Sequence, residues 1–78
     1  MSDPKYIDIG RPETKLIEEC GELLQALSKA ERFGWFNHHP EKPEITNLEQ
    51  VKREMDDVVE ACERLEKHMR QLSADYYK

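Results

Sequence analysis

No run of apolar residues in this chain approaches the ~20 that a membrane-spanning helix requires, and residues 1–11 contain no hydrophobic signal-peptide core. The expectation is a cytoplasmic chain with no membrane partner. Basic residues are also in short supply: Lys and Arg number 12 against 17 Asp and Glu, a formal net charge of −5. No Lys/Arg stripe is dense enough to neutralise a phosphate backbone, so a nucleic-acid polymer is not expected as a partner. The 2 cysteines, Cys20 and Cys62, form neither a C-x-x-C nor a Cys/His zinc pattern. Both fall at apolar helical positions and read as reduced core thiols, in keeping with a reducing compartment. Neither acidic motif carries His three residues after its Glu, which argues against a di-iron or di-manganese carboxylate bundle. Internal repeats and low-complexity tracts are absent too.

What is present is helical. A chain of 78 residues has room for one small domain, and 37% charged with 37% apolar residues suits amphipathic helices around little enclosed core. Residues 1–11 form a polar leader containing Tyr6, Ile7 and Ile9. Pro12, at home in a first helical turn, opens a helix over about 12–33. Its apolar residues Leu16, Cys20, Leu23, Leu27 and Ala30 alternate by four and three, Ile17 and Leu24 widen the stripe, and Gly34 supplies a stop. Two prolines and no periodicity make 34–47 a loop, and Asn47 with Gln50 resembles a capping box. A second helix over about 48–77 follows from Leu48, Val51, Met55, Val58, Cys62, Leu65, Met69, Leu72 and Tyr76, an unbroken three-four alternation. The unit 12–78 is thus an all-α antiparallel hairpin. Its second helix carries an apolar stripe, Leu65 to Tyr76, beyond the reach of the first, and a small hairpin is marginal alone. Both facts predict a homo-oligomer, dimer or tetramer, closing into a four-helix bundle.

Glu18-Glu19-Cys20-Gly21-Glu22 on the first helix is answered by Glu54-Met55-Asp56-Asp57 on the second. Residues three apart lie about 60° from one another on a helix, so Glu19 pairs with Glu22 and Glu54 with Asp57. With the apolar residues labelled a and d, Glu19 and Glu54 take g and Glu22 and Asp57 take c. Antiparallel packing brings g against g′, which places both pairs on one edge of the seam, in a register whose paired numbers sum to about 76. Clustered carboxylates repel unless a cation neutralises them, and hard oxygen ligands select Mg²⁺, with Mn²⁺ an acceptable substitute. Acidic g and c positions are also commonly no more than a solvated face.

Residues Lys15 to Glu66 resemble the MazG-like all-α nucleoside triphosphate pyrophosphatase superfamily, marked by E-E-x-x-E on one helix and E-x-x-D on the next. The segment Lys15-Leu16-Ile17-Glu18-Glu19-Cys20-Gly21-Glu22-Leu23 is similar in context as well. The resemblance implies Mg²⁺-dependent hydrolysis between the α and β phosphates of a (deoxy)nucleoside triphosphate, releasing monophosphate and pyrophosphate. Glu19, Glu22, Glu54 and Asp57 would be the ligands, and Glu18, with Glu19, would belong to the catalytic group, helping to orient the attacking water. A phosphoribosyl-ATP substrate is a second possibility within the family. The inter-motif spacing is slightly longer than the family's pattern, and phosphate contacts must come from cations such as Lys15, Lys29, Arg53 or Arg64, or from another subunit.

Trp35, Phe36, Asn37, His38 and His39, a loop cluster rich in aromatic and amide groups, are candidates for holding a base, Trp35, Asn37 and His38 foremost, with Lys29 for phosphate. Trp35 and Phe36 are equally suited to plugging the bundle end. About 16 Å of helix separates Glu22 from Phe33, so the loop must fold back along the bundle or serve a neighbouring subunit, and the neighbour is preferred here. The alternative to an enzyme is a non-enzymatic helical hairpin that dimerises or binds a partner helix.

Overall fold

The computed structural model describes residues 11–77. The leader expected over 1–11 lies outside them except for Arg11, as does Lys78. Two helices make up the fold, α1 (Pro12–Phe33) and α2 (Asn47–Tyr76), with no strand among the described residues. The boundaries follow local chemistry. Pro12 occupies the first turn of α1, where its missing N–H costs nothing, and Glu13 faces the positive end of the helix dipole. Gly34 ends α1 at φ 101°, a conformation that strains any side-chain-bearing residue, and its N–H donates to the Ala30 carbonyl.

The cap of α2 sits one residue earlier than Asn47 with Gln50 suggests. Thr46 Oγ1 accepts from the Glu49 N–H at 3.1 Å, and the Thr46 N–H donates back to Glu49 Oε1 at 3.0 Å, a complete capping box. Asn47 is thereby released for another task. Its side-chain amide donates to the Gly34 carbonyl at 2.8 Å, tying the start of α2 to the end of α1.

That tie is one of several that close the loop. The Leu48 N–H donates to the Trp35 carbonyl at 2.8 Å and the Asn47 N–H to the Asn37 carbonyl at 2.7 Å. His38 and Thr46 form an antiparallel β-bridge. At the other end of the seam, His68 Nε2 lies 3.7 Å from a Glu13 carboxylate oxygen. The helices are antiparallel, and the last turns of α2 extend past the start of α1.

The seam between them is turned relative to the a/d expectation. The buried residues are Glu19 and Ala26 at g, Ala30 and Val51 at d, and Ala61 at g, with Leu23 packed against the Ala26, Ala30 and Val51 cluster. The a positions point elsewhere: Leu27, Leu48, Met55 and Met69 are exposed, as are Cys20 and Cys62, which are therefore free surface thiols of the hairpin and not core thiols. Small residues decide the matter. Alanine at g lets two backbones approach closely, whereas Met, Leu and Cys at a would hold them apart.

Candidate functional site

Turning the seam toward g moves Glu19 from its edge to its interior. Glu19 is only 7% exposed, and Glu54, at the equivalent phase of α2, is half-buried. Glu22 stands one turn along α1. One carboxylate oxygen from each of Glu19, Glu22 and Glu54 lies within 4.8 Å of the others. Three of the four expected ligands are thus brought together across the two helices.

Each of the two sequestered carboxylates is half satisfied. Glu19 Oε2 accepts from Lys15 Nζ at 2.9 Å, and Glu54 Oε2 accepts from Gln50 Nε2 at 2.7 Å. Glu19 Oε1 and Glu54 Oε1 are buried with no hydrogen-bond partner among the described residues. Buried acceptors are seldom left so, because an unpaired polar atom costs about 1 to 3 kcal/mol. The charge of Glu19 pushes the Glu22 carboxyl above its ordinary value, with loss of hydration and the charge of Glu54 acting in the same direction. Lys15 is raised chiefly by its hydrogen bond to Glu19. Close anionic oxygens, two of them orphaned, fit a hard divalent cation in donor chemistry. The residues present therefore suit Mg²⁺ or Mn²⁺.

Asp57, the fourth expected ligand, does not join the mutual cluster. It lines an adjoining cavity of about 230 Å³ with Lys15, Glu19, Glu60, Ala61 and Arg64. Glu19 is the wall that this cavity shares with the carboxylate cluster. Glu18 is exposed, about 100° around α1 from Glu19, and lines none of the cavities described here.

On its other side the cluster opens into a groove of about 460 Å³. Glu22, Gln25, Lys29, Gln50 and Glu54 of the helices meet His39, Glu41, Lys42 and Ile45 of the loop there. The loop thus folds back along its own hairpin, and the expected preference for a neighbouring subunit is not needed to bring it to the carboxylates. Beyond this groove lies an apolar recess of about 650 Å³ lined by Phe33, Asn37, His38, Pro40 and, shared with the groove, Lys29, His39 and Asn47.

Of the residues expected to bind substrate, Lys29, Asn37 and His38 line this recess; Trp35 lines neither space. Trp35 is 43% exposed and contributes its carbonyl to loop closure. Asn37 is a structural hub whose side-chain amide donates to the Phe33 carbonyl at 3.1 Å and whose Oδ1 accepts from the His38 N–H at 2.9 Å. His39, in the same candidate base-binding cluster, lines both the groove and the recess, whereas sequence reasoning missed Lys42, Gln25 and Gln50. Gln25 and Gln50 had a legible signal, each lying within a turn of a clustered Glu. Lys42 had none, since its position depends on how the loop folds.

No family model, curated protein or solved structure matches this chain.

Proposed function

We propose that this chain is a Mg²⁺-dependent nucleotide pyrophosphohydrolase of the MazG-like kind, converting a (deoxy)nucleoside triphosphate to the monophosphate and pyrophosphate. One observation carries the reading. Glu19, Glu22 and Glu54 converge from two helices with two buried oxygens unpartnered, at the mouth of a groove that runs on to an apolar recess. A polar end that suits a metal and phosphates, continuous with a recess for an apolar ring, matches a nucleotide in both chemistry and order. Glu19, Glu22 and Glu54 would hold the metal, with Asp57 on the adjoining wall. The bound ion would supply charge neutralisation of the polyphosphate and a more acidic water. Lys29 and His39, shared by groove and recess, would sit where phosphate gives way to nucleoside, and Asn37 and His38 would line the nucleoside's end.

The active form in this proposal is a homo-oligomer in which the exposed apolar face of each hairpin is covered by another copy, giving a four-helix bundle. That face includes Ile17, Leu24, Met55 and Val59. The same face supports the second reading, a non-enzymatic hairpin that dimerises or takes a partner helix.

A panel of nucleotides incubated with protein and Mg²⁺ separates the two. Pyrophosphate release is expected; orthophosphate alone, or no release from any nucleotide, overturns the enzyme reading. Glu19→Gln should lower kcat/KM by on the order of 10²-fold or more, since even outer-shell partners of metal ligands are worth 10 to 100-fold. The folded fraction should hold, because the change removes repulsion from the seam.

A further inference from the structure

Lys15 is the one cation bonded to the carboxylate cluster among the described residues, and its acceptor is unusual. Ion pairs four apart on a helix are ordinarily solvated and worth a few tenths of a kcal/mol. Here the lysine side chain is 45% exposed while that of Glu19 is 9% exposed, so an ammonium from the surface caps a sequestered carboxylate. The other oxygen of that carboxylate is buried without a partner. Lys15 therefore neutralises half of Glu19 and leaves the other half facing Glu22 and Glu54.

The ammonium also has somewhere to go. The cavity that Lys15 lines runs beside Glu19 and carries Arg64 on its wall. Among the described residues Arg64 pairs with Glu60, at 3.6 Å and with both side chains largely exposed. Two exposed cations thus flank the carboxylate cluster on the side away from the recess, where Lys29 and His39 lie.

We propose that Lys15 is an exchangeable counter-ion: it occupies Glu19 in the metal-free chain, and it transfers to the phosphate oxygens of a metal-bound polyphosphate, with Arg64, when the site is filled. The inference rests on the metal reading of the carboxylate cluster. Its consequence is coupled loading. A bare divalent cation must compete with the ammonium for Glu19 Oε2, so it binds weakly. A metal–polyphosphate complex gives the ammonium a new partner, so it binds well. The ligand class is a pyrophosphate moiety, free or as the tail of a nucleotide.

Calorimetric titration of the full chain tests this by direction of change. MnCl₂ alone should bind Lys15→Met about tenfold more tightly than the unaltered chain, and preformed Mg²⁺–pyrophosphate should bind it about tenfold more weakly. These factors correspond to one charge-assisted hydrogen bond lost or gained. Lys15→Arg, which keeps the charge, should restore both affinities toward their starting values. A purely structural role for Lys15 moves both affinities the same way, and that result overturns the proposal, as does an unchanged Mn²⁺ affinity. Mn²⁺ binding that Glu19→Gln leaves intact, or no Mn²⁺ binding at all, overturns the metal reading and the inference with it. The Mg²⁺ complex of an α,β-methylene nucleoside triphosphate settles the source: equal weakening by Lys15→Met assigns the tail of a nucleotide, and no weakening assigns free pyrophosphate.

Discussion

The two faces of the hairpin are built from opposite materials. Inside, between α1 and α2, lie Ala26, Ala30, Ala61, Val51 and a glutamate; outside lie Ile17 at 71% exposure, Leu24 at 67% and Met55 at 52%. A chain that folded to satisfy itself alone would put its largest apolar side chains inward, since a buried Leu or Ile contributes about 1.5 to 3 kcal/mol. This one uses its small residues to bring two backbones together and so brings carboxylates from both helices within reach of one another. The larger residues remain for something else to cover. The carboxylate cluster and the exposed apolar face thus lie on different stripes of the same helices, and each can be perturbed separately.

The largest effect should come from the outer face. Leu24→Asp places a charge where the proposed bundle buries an apolar side chain, and the oligomer should fall apart to monomers by light scattering. In unfolding experiments, truncating such residues, Leu24→Ala or Met69→Ala, should cost about 2 to 5 kcal/mol each if assembly buries them fully. A monomeric unaltered chain with unchanged stability in Leu24→Ala would show that the outer face has no partner.

A smaller effect is expected from the inner face. Ala30 is 1% exposed between the helices, and Ala30→Leu overpacks the seam at a cost of about 1 to 3 kcal/mol in urea unfolding. It should spread α1 from α2 and weaken the proposed metal binding while leaving the outer contacts of the proposed oligomer in place. Metal affinity preserved in a destabilised Ala30→Leu would mean that the carboxylates do not depend on close helix approach.

The smallest effect concerns pH. The Glu22 carboxyl is held above its ordinary 4.5 by Glu19, so the folded chain binds this proton more tightly than the unfolded chain does. The contribution to stability is fully present below 4.5 and is lost as pH rises through the folded value. Thermal melts of metal-free protein should therefore show a modest fall in Tm across that window relative to Glu22→Gln, and Mg²⁺ at neutral pH should reverse it. A Tm difference between the two proteins that is flat with pH would remove Glu19 as the cause.

Much of this was legible in the sequence, for identifiable reasons. Pro12, Gly34 and the three-four alternation mark both helices because capping and periodicity are local. The phase of the seam was not legible. Apolar counting ranks Leu, Met and Cys at a above Ala at g, yet close packing favours the smaller side chain, so Cys20, Cys62, Met55 and Met69 lie outside and Glu19 inside. The pairing of Glu22 with Glu54 survived this rotation because both helices turn together. Asp57 did not join its partners because it sits a further turn along α2, beside Lys15 and Arg64. The loop was the least legible part. His38 meets Thr46 and Asn37 bonds Asn47 through backbone groups that carry no residue-specific signal.

The closure of that loop also has a kinetic meaning. His38 to Thr46, Asn37 to Asn47 and Trp35 to Leu48 are the loop-closing contacts between the two arms, short in sequence separation, and they cost little chain entropy to form. Helical hairpins built from such local contacts belong to the fast class, and this one would zip outward from its bend toward Glu13 and His68. Residues around the bend then govern how quickly the hairpin forms, and those at its open end govern how quickly it comes apart.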